Sequence, residues 1–179
     1  MSDADAEHDW IVTLDGSRVQ VRRIETDDYD AVIQLAMSLT DRERYLRFFT
    51  THPNYLAEWG RALTASSDRG HCAVGAFEDD TLVGIANYVA TTSTGCAEVS
   101  VVVAHEQHDR GVATILLTFL GMIARNNGIH HLVADVLTEN QSMRKLVIDA
   151  GWPCTRYRDG NVTHIDVDLD QLGSGESAR

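Results

Sequence analysis

Residues 96–136 constrain this chain more than any other stretch. A run of small and β-branched residues, Cys96-Ala97-Glu98-Val99-Ser100-Val101-Val102-Val103, passes through a turn, His108-Asp109-Arg110-Gly111-Val112-Ala113, into residues 112–126. There the apolar residues Ile115, Leu116, Phe119, Met122 and Ile123 recur at helical spacing until Asn126-Asn127-Gly128 stops them. A second apolar strand, 131–136, follows. Strand, crossover helix and strand must lie parallel in one sheet with a right-handed connection. Ligands of open α/β sheets bind beyond the carboxyl ends of strands where the sheet changes direction, which here is the end of residues 101–103. The turn brings backbone N–H groups, a small residue and a helix N-terminus to one point, and both the free donors and the helix dipole favour an anionic phosphate there.

The flanking pattern completes the fold class. Residues 10–14 and 18–24 alternate around Asp15-Gly16, a hairpin signal. Thr26 can cap a helix whose apolar face is Val32, Ile33, Leu35, Ala36 and Leu39, and Thr40-Asp41-Arg42-Glu43 is a capping box opening a second helix toward Phe49. Residues 54–65 read as helix, 72–78, 82–90 and 96–103 as strands, 141–150 as a helix ended by Gly151, and 162–167 as a strand facing Tyr157 across Asp159-Gly160-Asn161. The expectation is an α/β fold with a mixed α+β sheet: a central sheet of about seven strands flanked by helices, antiparallel until the 96–136 crossover adds a parallel neighbour. A length of 179 residues with 44% hydrophobic content suits one domain, 10–170, between polar tails at 1–9 and 171–179.

Charge narrows the partners. A formal charge of −12 repels nucleic acid and anionic lipid and favours a cationic, amine-bearing molecule. Cys72, Cys96 and Cys154 are widely spaced and odd in number, which points to free thiols in a reducing cytoplasm. The acidic N-terminus lacks the basic and apolar regions of a signal peptide, and no apolar run approaches the ~18 residues of a membrane span.

The turn resembles motif A of the GNAT N-acetyltransferase family, in which Gln/Arg-x-x-Gly-x-Gly/Ala wraps the pyrophosphate of acetyl-CoA. Here it reads His108-x-x-Gly111-x-Ala113, with the first position departing from the pattern. Leu137-Thr138-Glu139-Asn140-Gln141-Ser142-Met143, followed by Gly151-Trp152, is similar to the family's motif B. Arg44-Tyr45-Leu46-Arg47-Phe48-Phe49 and Ala97-Glu98-Val99 are similar to segments of bacterial Pat-type protein lysine acetyltransferases. The resemblance runs from about Val19 to Cys154. It implies acetyl-CoA as co-substrate, with Val101 and Val103 pairing with the pantetheine arm. It also implies that His108, Asp109, Arg110, Gly111, Val112 and Ala113 hold the pyrophosphate, and that Asn140 meets the pantetheine or phosphate arm. Arg110, Arg144 and Lys145 are placed to supply positive charge to the anionic cofactor. Residues 40–49 and the segment to Trp59 would line the acceptor side, with at least one of Arg42, Arg44 and Arg47 turned toward a cofactor phosphate or an acidic neighbour. Pat-type enzymes often carry a fused regulatory domain, for which this length leaves no room.

Glu98 sits in an otherwise apolar and small strand, where a carboxylate needs a partner or a task. It is either an outward-facing residue or, as the resemblance implies, a general base whose burial would raise its pKa toward neutrality. Asn140 can equally be the N-cap of the helix after it. Family members commonly place a tyrosine seven residues after this asparagine to protonate the departing thiolate. Val147 stands there, and a thiol with a pKa near ~8.5 can leave without it. Tyr45, Tyr88 and Tyr157 read first as packing residues. The zinc-protease signature needs histidines four apart, but His105 and His108 are three apart, so no metal is expected. Neither a P-loop nor G-x-G-x-x-G is present.

These readings converge on transfer of an acetyl group from acetyl-CoA to a primary amine, a protein lysine side chain first, by direct attack in a ternary complex with Glu98 as base. The rivals are a small-molecule amine acetyltransferase and a catalytically silent acyl-CoA-binding module, the latter encouraged by His108 and Val147. Acceptor identity, acyl length and oligomeric state stay open.

Overall fold

The computed structural model describes residues 10–176. The tail expected over 1–9 lies outside the described residues, as do residues 177–179.

Strands β1 (Trp10–Leu14) and β2 (Ser17–Arg23) form the expected hairpin. Asp15 and Gly16 both take positive φ, 50° and 81°, the backbone of a two-residue type I′ turn. The next helix does not start at Thr26. A 3-10 turn, Thr26–Asp28, comes first, and α1 spans Tyr29–Ser38. The Asp28 carboxylate accepts the Glu25 N–H at 2.8 Å and two Arg22 bonds at 2.8 Å each, so the acid organises this corner, while the Thr26 hydroxyl donates to the Thr64 carbonyl. Helix α2 (Asp41–Phe48) opens on the expected capping box: Glu43 N–H donates to Thr40 Oγ1 at 3.2 Å and Thr40 N–H donates to Glu43 Oε2 at 2.8 Å. Helix α3 is Leu56–Thr64.

The remaining elements are β3 (His71–Glu78), β4 (Thr81–Ala90), β5 (Cys96–Val103), α4 (Val112–Asn126), β6 (His131–Leu137), α5 (Gln141–Asp149), β7 (Cys154–Asp159) and β8 (Val162–Asp168). They build one sheet of eight strands in the order β1-β2-β3-β4-β5-β6-β8-β7, antiparallel except for the β5/β6 pair. This is the expected mixed α/β sheet with one strand more than the approximate seven. β7, a mostly exposed edge strand paired with β8 alone, holds the Tyr157 expected to face residues 162–167 across the turn. A 3-10 segment, Leu169–Glu176, then runs into the stretch expected as a C-terminal tail; Leu169 is fully buried and its N–H donates to the His130 carbonyl at 2.8 Å.

The central strands β3 and β4 are buried on both faces. On one, α4 lays Val112, Leu116, Leu117 and Leu120 against Val74, Ala86, Ala97 and Val99. Gly84 permits this approach, since a Cβ there would lie 3.0 Å from both Leu116 Cδ1 and Val112 Cγ1. On the other, Val32, Leu35, Phe48 and Leu63 cover Ala73, Ile85 and Val102. Fully buried Tyr88 accepts a hydrogen bond from Asn127 Nδ2 at 2.7 Å, joining the sheet to the end of α4. Tyr88→Phe keeps the ring and strands that amide, so it should lower stability by about 1–3 kcal/mol. A urea titration reads this as a lower midpoint at unchanged slope. The three cysteines are free, and no described helix is long and apolar enough to cross a membrane.

Candidate active site

The site is built around a split in the sheet. β5 stays paired with β4 along its length, from Ala90↔Ala97 to Gly84↔Val103. Its parallel pairing with β6 covers only Cys96↔His131, Ala97↔Leu132 and Glu98↔Val133, whereas β6 stays with β8 as far as Leu137↔Val162. Beyond residue 98 the two strands therefore diverge.

Backbone direction along the split follows from the antiparallel pattern, in which alternate residues exchange bonds with the same neighbour. Ala104 N–H donates to the Val83 carbonyl at 2.9 Å, and the Cys96 carbonyl accepts from Thr91 N–H at 2.9 Å, so even-numbered residues of β5 face β4. Val99, Val101 and Val103 turn their N–H and C=O groups into the split. The side chains of Val101 and Val103 pack half-buried on the α4 face, fixing that register. An apolar cavity lined by Val99, Leu132, Met143, Leu146 and Val147 lies beneath α5 beside the same divergence.

The turn expected to hold an anion closes the end of this split. After a 3-10 turn, His105–Gln107, the backbone is left-handed at Asp109 (φ 62°) and at Gly111 (φ 87°, ψ 6°), and Gly111 becomes the N-cap of α4. The first intrahelical bond runs from Ile115 N–H to the Gly111 carbonyl at 3.1 Å, so the N–H groups of Val112, Ala113 and Thr114 have no helical acceptor. No side chain caps them and no acidic residue stands in the first turn. Val112 is buried and fixes the helix start, Ala113 is half-buried, and Asp109 and Gly111 are exposed.

Arg110 differs from the expectation that it supplies positive charge here. Its guanidinium donates to Glu78 at 2.9 and 3.1 Å, to Asp15 at 3.2 Å and to the side chain of Gln107, tying the turn to the β1–β2 hairpin. What it offers the turn is main chain. On α5, Arg144 is exposed without an ion-pair partner among the described residues. Lys145 pairs with Asp149 at 2.8 Å, and its pKa is held up by Asp149 and, less strongly, by Asp109 across the turn. Asn140 is the N-cap of α5, its Oδ1 accepting from Met143 N–H at 3.1 Å. Val147 faces the core.

Glu98 lies on the other face of β5, toward α1–α3, and is exposed, in contrast to the burial expected of it. Two residues along the same face, Ser100 Oγ donates to Asn87 Oδ1 at 2.6 Å and accepts from Arg47 Nη2 at 3.0 Å. Arg47 packs over Phe48 and Trp59, with guanidinium carbon 5.0 and 5.9 Å from the ring centroids. Its Nε is shielded from solvent without a partner. Burial pushes the Arg47 pKa down, while Tyr55 and Glu98 oppose that shift, which places Glu98 within electrostatic reach of the guanidinium. Arg42 and Arg44 turn to acidic neighbours, Glu139 at 3.5 Å and Asp41 at 2.5 Å. The Arg47–Ser100–Asn87 chain escaped the sequence reading, although two polar residues directly opposite each other inside apolar strands, Asn87↔Ser100, are its trace. Tyr45 is half-buried, Tyr88 is in the core and Tyr157 stacks on His164.

Chemically, the divergent strand edge suits an extended amide chain, the uncapped helix start suits an anion, and an exposed carboxylate, Glu98, stands on the opposite face of β5 two residues from Ser100. The model of the Acetyltransferase (GNAT) family matches residues 29–151. Among solved structures, the GNAT domain of S. lividans PAT superposes with a TM-score of 0.82 at 28% identity, covering 94% of this chain and 99% of that one. yncA from Salmonella typhimurium, with its cofactor acetyl-CoA, has the same fold at a TM-score of 0.62 and 20% identity, over 89% of this chain and 99% of its own. A cAMP-binding acyltransferase from Mycobacterium smegmatis matches at a TM-score of 0.62 and 21% identity over 93% of this chain, which spans 50% of that larger protein.

Proposed function

This chain belongs to the GNAT family of acetyltransferases and is an acyltransferase; we propose that it transfers an acetyl group from acetyl-CoA to a protein lysine side chain. The observation that carries this reading is the split after Glu98/Val133, which leaves the β5 edge open beside an uncapped α4 N-terminus. In this reading the pantetheine amides pair with Val101 and Val103 as an added strand, and one N–H there meets the thioester oxygen as it gains charge. The pyrophosphate rests on the N–H groups of residues 108–113, with Arg144 contributing charge and Asn140 holding α5 in place. Glu98 takes a proton from the incoming ammonium, directly or through water, and the amine attacks the thioester carbon. The C–S bond then breaks and the thiolate leaves without a tyrosine donor.

The lysine acceptor draws support from the likeness to the lividans PAT domain over nearly the whole of both chains. Glu98 and the Arg47–Ser100–Asn87 chain line that side, and the protein's charge of −12 favours lysines in basic or neutral surroundings. Acetylation of a panel of proteins and small amines, read by mass spectrometry, tests the class. For peptide substrates, kcat/KM should be higher for a basic-flanked than for an acidic-flanked lysine, with the difference shrinking as salt rises. A salt-sensitive preference for acidic flanks would show that Arg42, Arg44 and Arg47 govern the acceptor instead.

A further inference from the structure

His105 and His108 gain from the fold a partner their spacing does not reveal. Glu43, in the first turn of α2, sends Oε1 to 2.7 Å from His105 Nδ1 and 3.4 Å from His108 Nε2, and the three ligand-type atoms all lie within 4.8 Å of one another. We propose that Glu43, His105 and His108 form a binding site for a divalent first-row transition-metal ion, for which Zn²⁺ is the probe, tying α2 to the connection between β5 and α4.

Four features support the site. The donor set is two imidazoles and one carboxylate, which zinc accepts with a fourth position left for water. Tetrahedral ligands about 2.0–2.1 Å from such an ion lie roughly 3.3 Å apart, so the observed separations close on an ion by small rotations of two exposed rings. Glu43 is oriented from behind, because its other oxygen accepts the Thr40 N–H at 2.8 Å, the kind of support that fixes a metal-binding carboxylate. His105 is 65% exposed and His108 38%, which gives an ion a path in, toward a protein of net charge −12. In the metal-free arrangement His108 Nε2 donates to the Val103 carbonyl at 3.2 Å, so coordination draws that ring away from the β5 edge.

The test uses the full chain, stripped with chelator and titrated with Zn²⁺ by calorimetry, with the visible absorption of Co²⁺ as a geometric readout. The wild type should bind one equivalent and give a tetrahedral cobalt spectrum. His105→Ala should weaken binding by more than about tenfold, the His105→Ala/His108→Ala pair should abolish that equivalent, and Glu43→Gln, which retains the capping-box acceptor, should also weaken it. Circular dichroism on each variant verifies the fold. Amide exchange over residues 41–48 should slow on adding Zn²⁺ in the wild type alone. No saturable binding by the wild type, or an unchanged equivalent in the double variant, overturns the proposal; the latter would assign the ion to surface pairs such as His130–Asp170 or His131–Asp166. No arm requires acetyl-CoA, so the outcome is independent of the acetyl-transfer reading.

Discussion

Gly111→Glu should remove acetyl-CoA binding from an otherwise folded protein, weakening it by more than about 100-fold in calorimetry. Sterically the position is open: a Cβ would meet nothing nearer than Leu14 Cδ2 at 3.9 Å. The penalty comes from φ +87°, where an L-residue pays about 1–2 kcal/mol, a strain a domain holding 5–15 kcal/mol survives. Two effects then act on the ligand. Relaxing the strain re-aims the donors of residues 112–114, and the new carboxylate sits at the helix start, satisfying by itself the dipole that would otherwise attract phosphate. Gly111→Asn separates these effects, because asparagine tolerates left-handed backbone and brings no charge; it should retain much more affinity than the glutamate variant. Undiminished binding by Gly111→Glu, with an unaltered circular dichroism spectrum, would remove the turn from the cofactor site.

Glu98→Gln should reduce turnover by ~10²–10⁴-fold with affinity for acetyl-CoA nearly unchanged, since shape is kept and only basicity is lost. The exposure of this residue sharpens the expectation. A solvated carboxylate can hand its proton to water between turnovers, and it can also be bypassed by water acting alone. Rates measured across about pH 6–9 distinguish these possibilities: survival of wild-type activity within a few-fold would assign deprotonation to solvent or another group. Arg47→Gln provides a companion measurement, because a guanidinium that orients Ser100 beside Glu98 should affect the acceptor KM rather than acetyl-CoA binding.

The parts of this molecule that were legible in its sequence are those specified by neighbours along the chain. The capping box at Thr40 and Glu43, the left-handed pair at Asp15-Gly16 and the helical spacing of 112–126 each span fewer than twenty residues and carry their own stereochemistry. The parts that were not legible depend on partners brought in by the fold. Arg110 looked available because its acceptors, Asp15 and Glu78, are 95 and 32 positions away. Glu43 meets His105 across 62 positions, so the spacing rule that set the histidines aside could not see it. Thr26 does not cap α1: its hydroxyl goes to the Thr64 carbonyl, and the N-cap position passes to Asp28, whose carboxylate Arg22 holds from β2. For Glu98 a local clue existed: alternation between buried Ala97 and Val99 already turns the residue between them to the opposite face, where the helices leave it uncovered.

The split between β5 and β6 also bears on how this protein avoids sticking to itself. An unpaired strand edge is ordinarily a hazard, because any extended segment of another chain can add to it and seed aggregation. Here the stretch left unpaired on its β6 side, residues 99–103, belongs to the fifth strand of eight and is closed at one end by the three β5–β6 pairs. A docking polypeptide strand needs clearance for side chains above and below the sheet, but the α4 face is occupied by packed side chains and β6 bounds the opening laterally. A slender chain with few branches needs less clearance in such a notch than a neighbour's strand would. Sheltering the edge within the sheet thus lets the fold keep reactive backbone on offer without the charges, prolines and bulges that guard outer strands elsewhere.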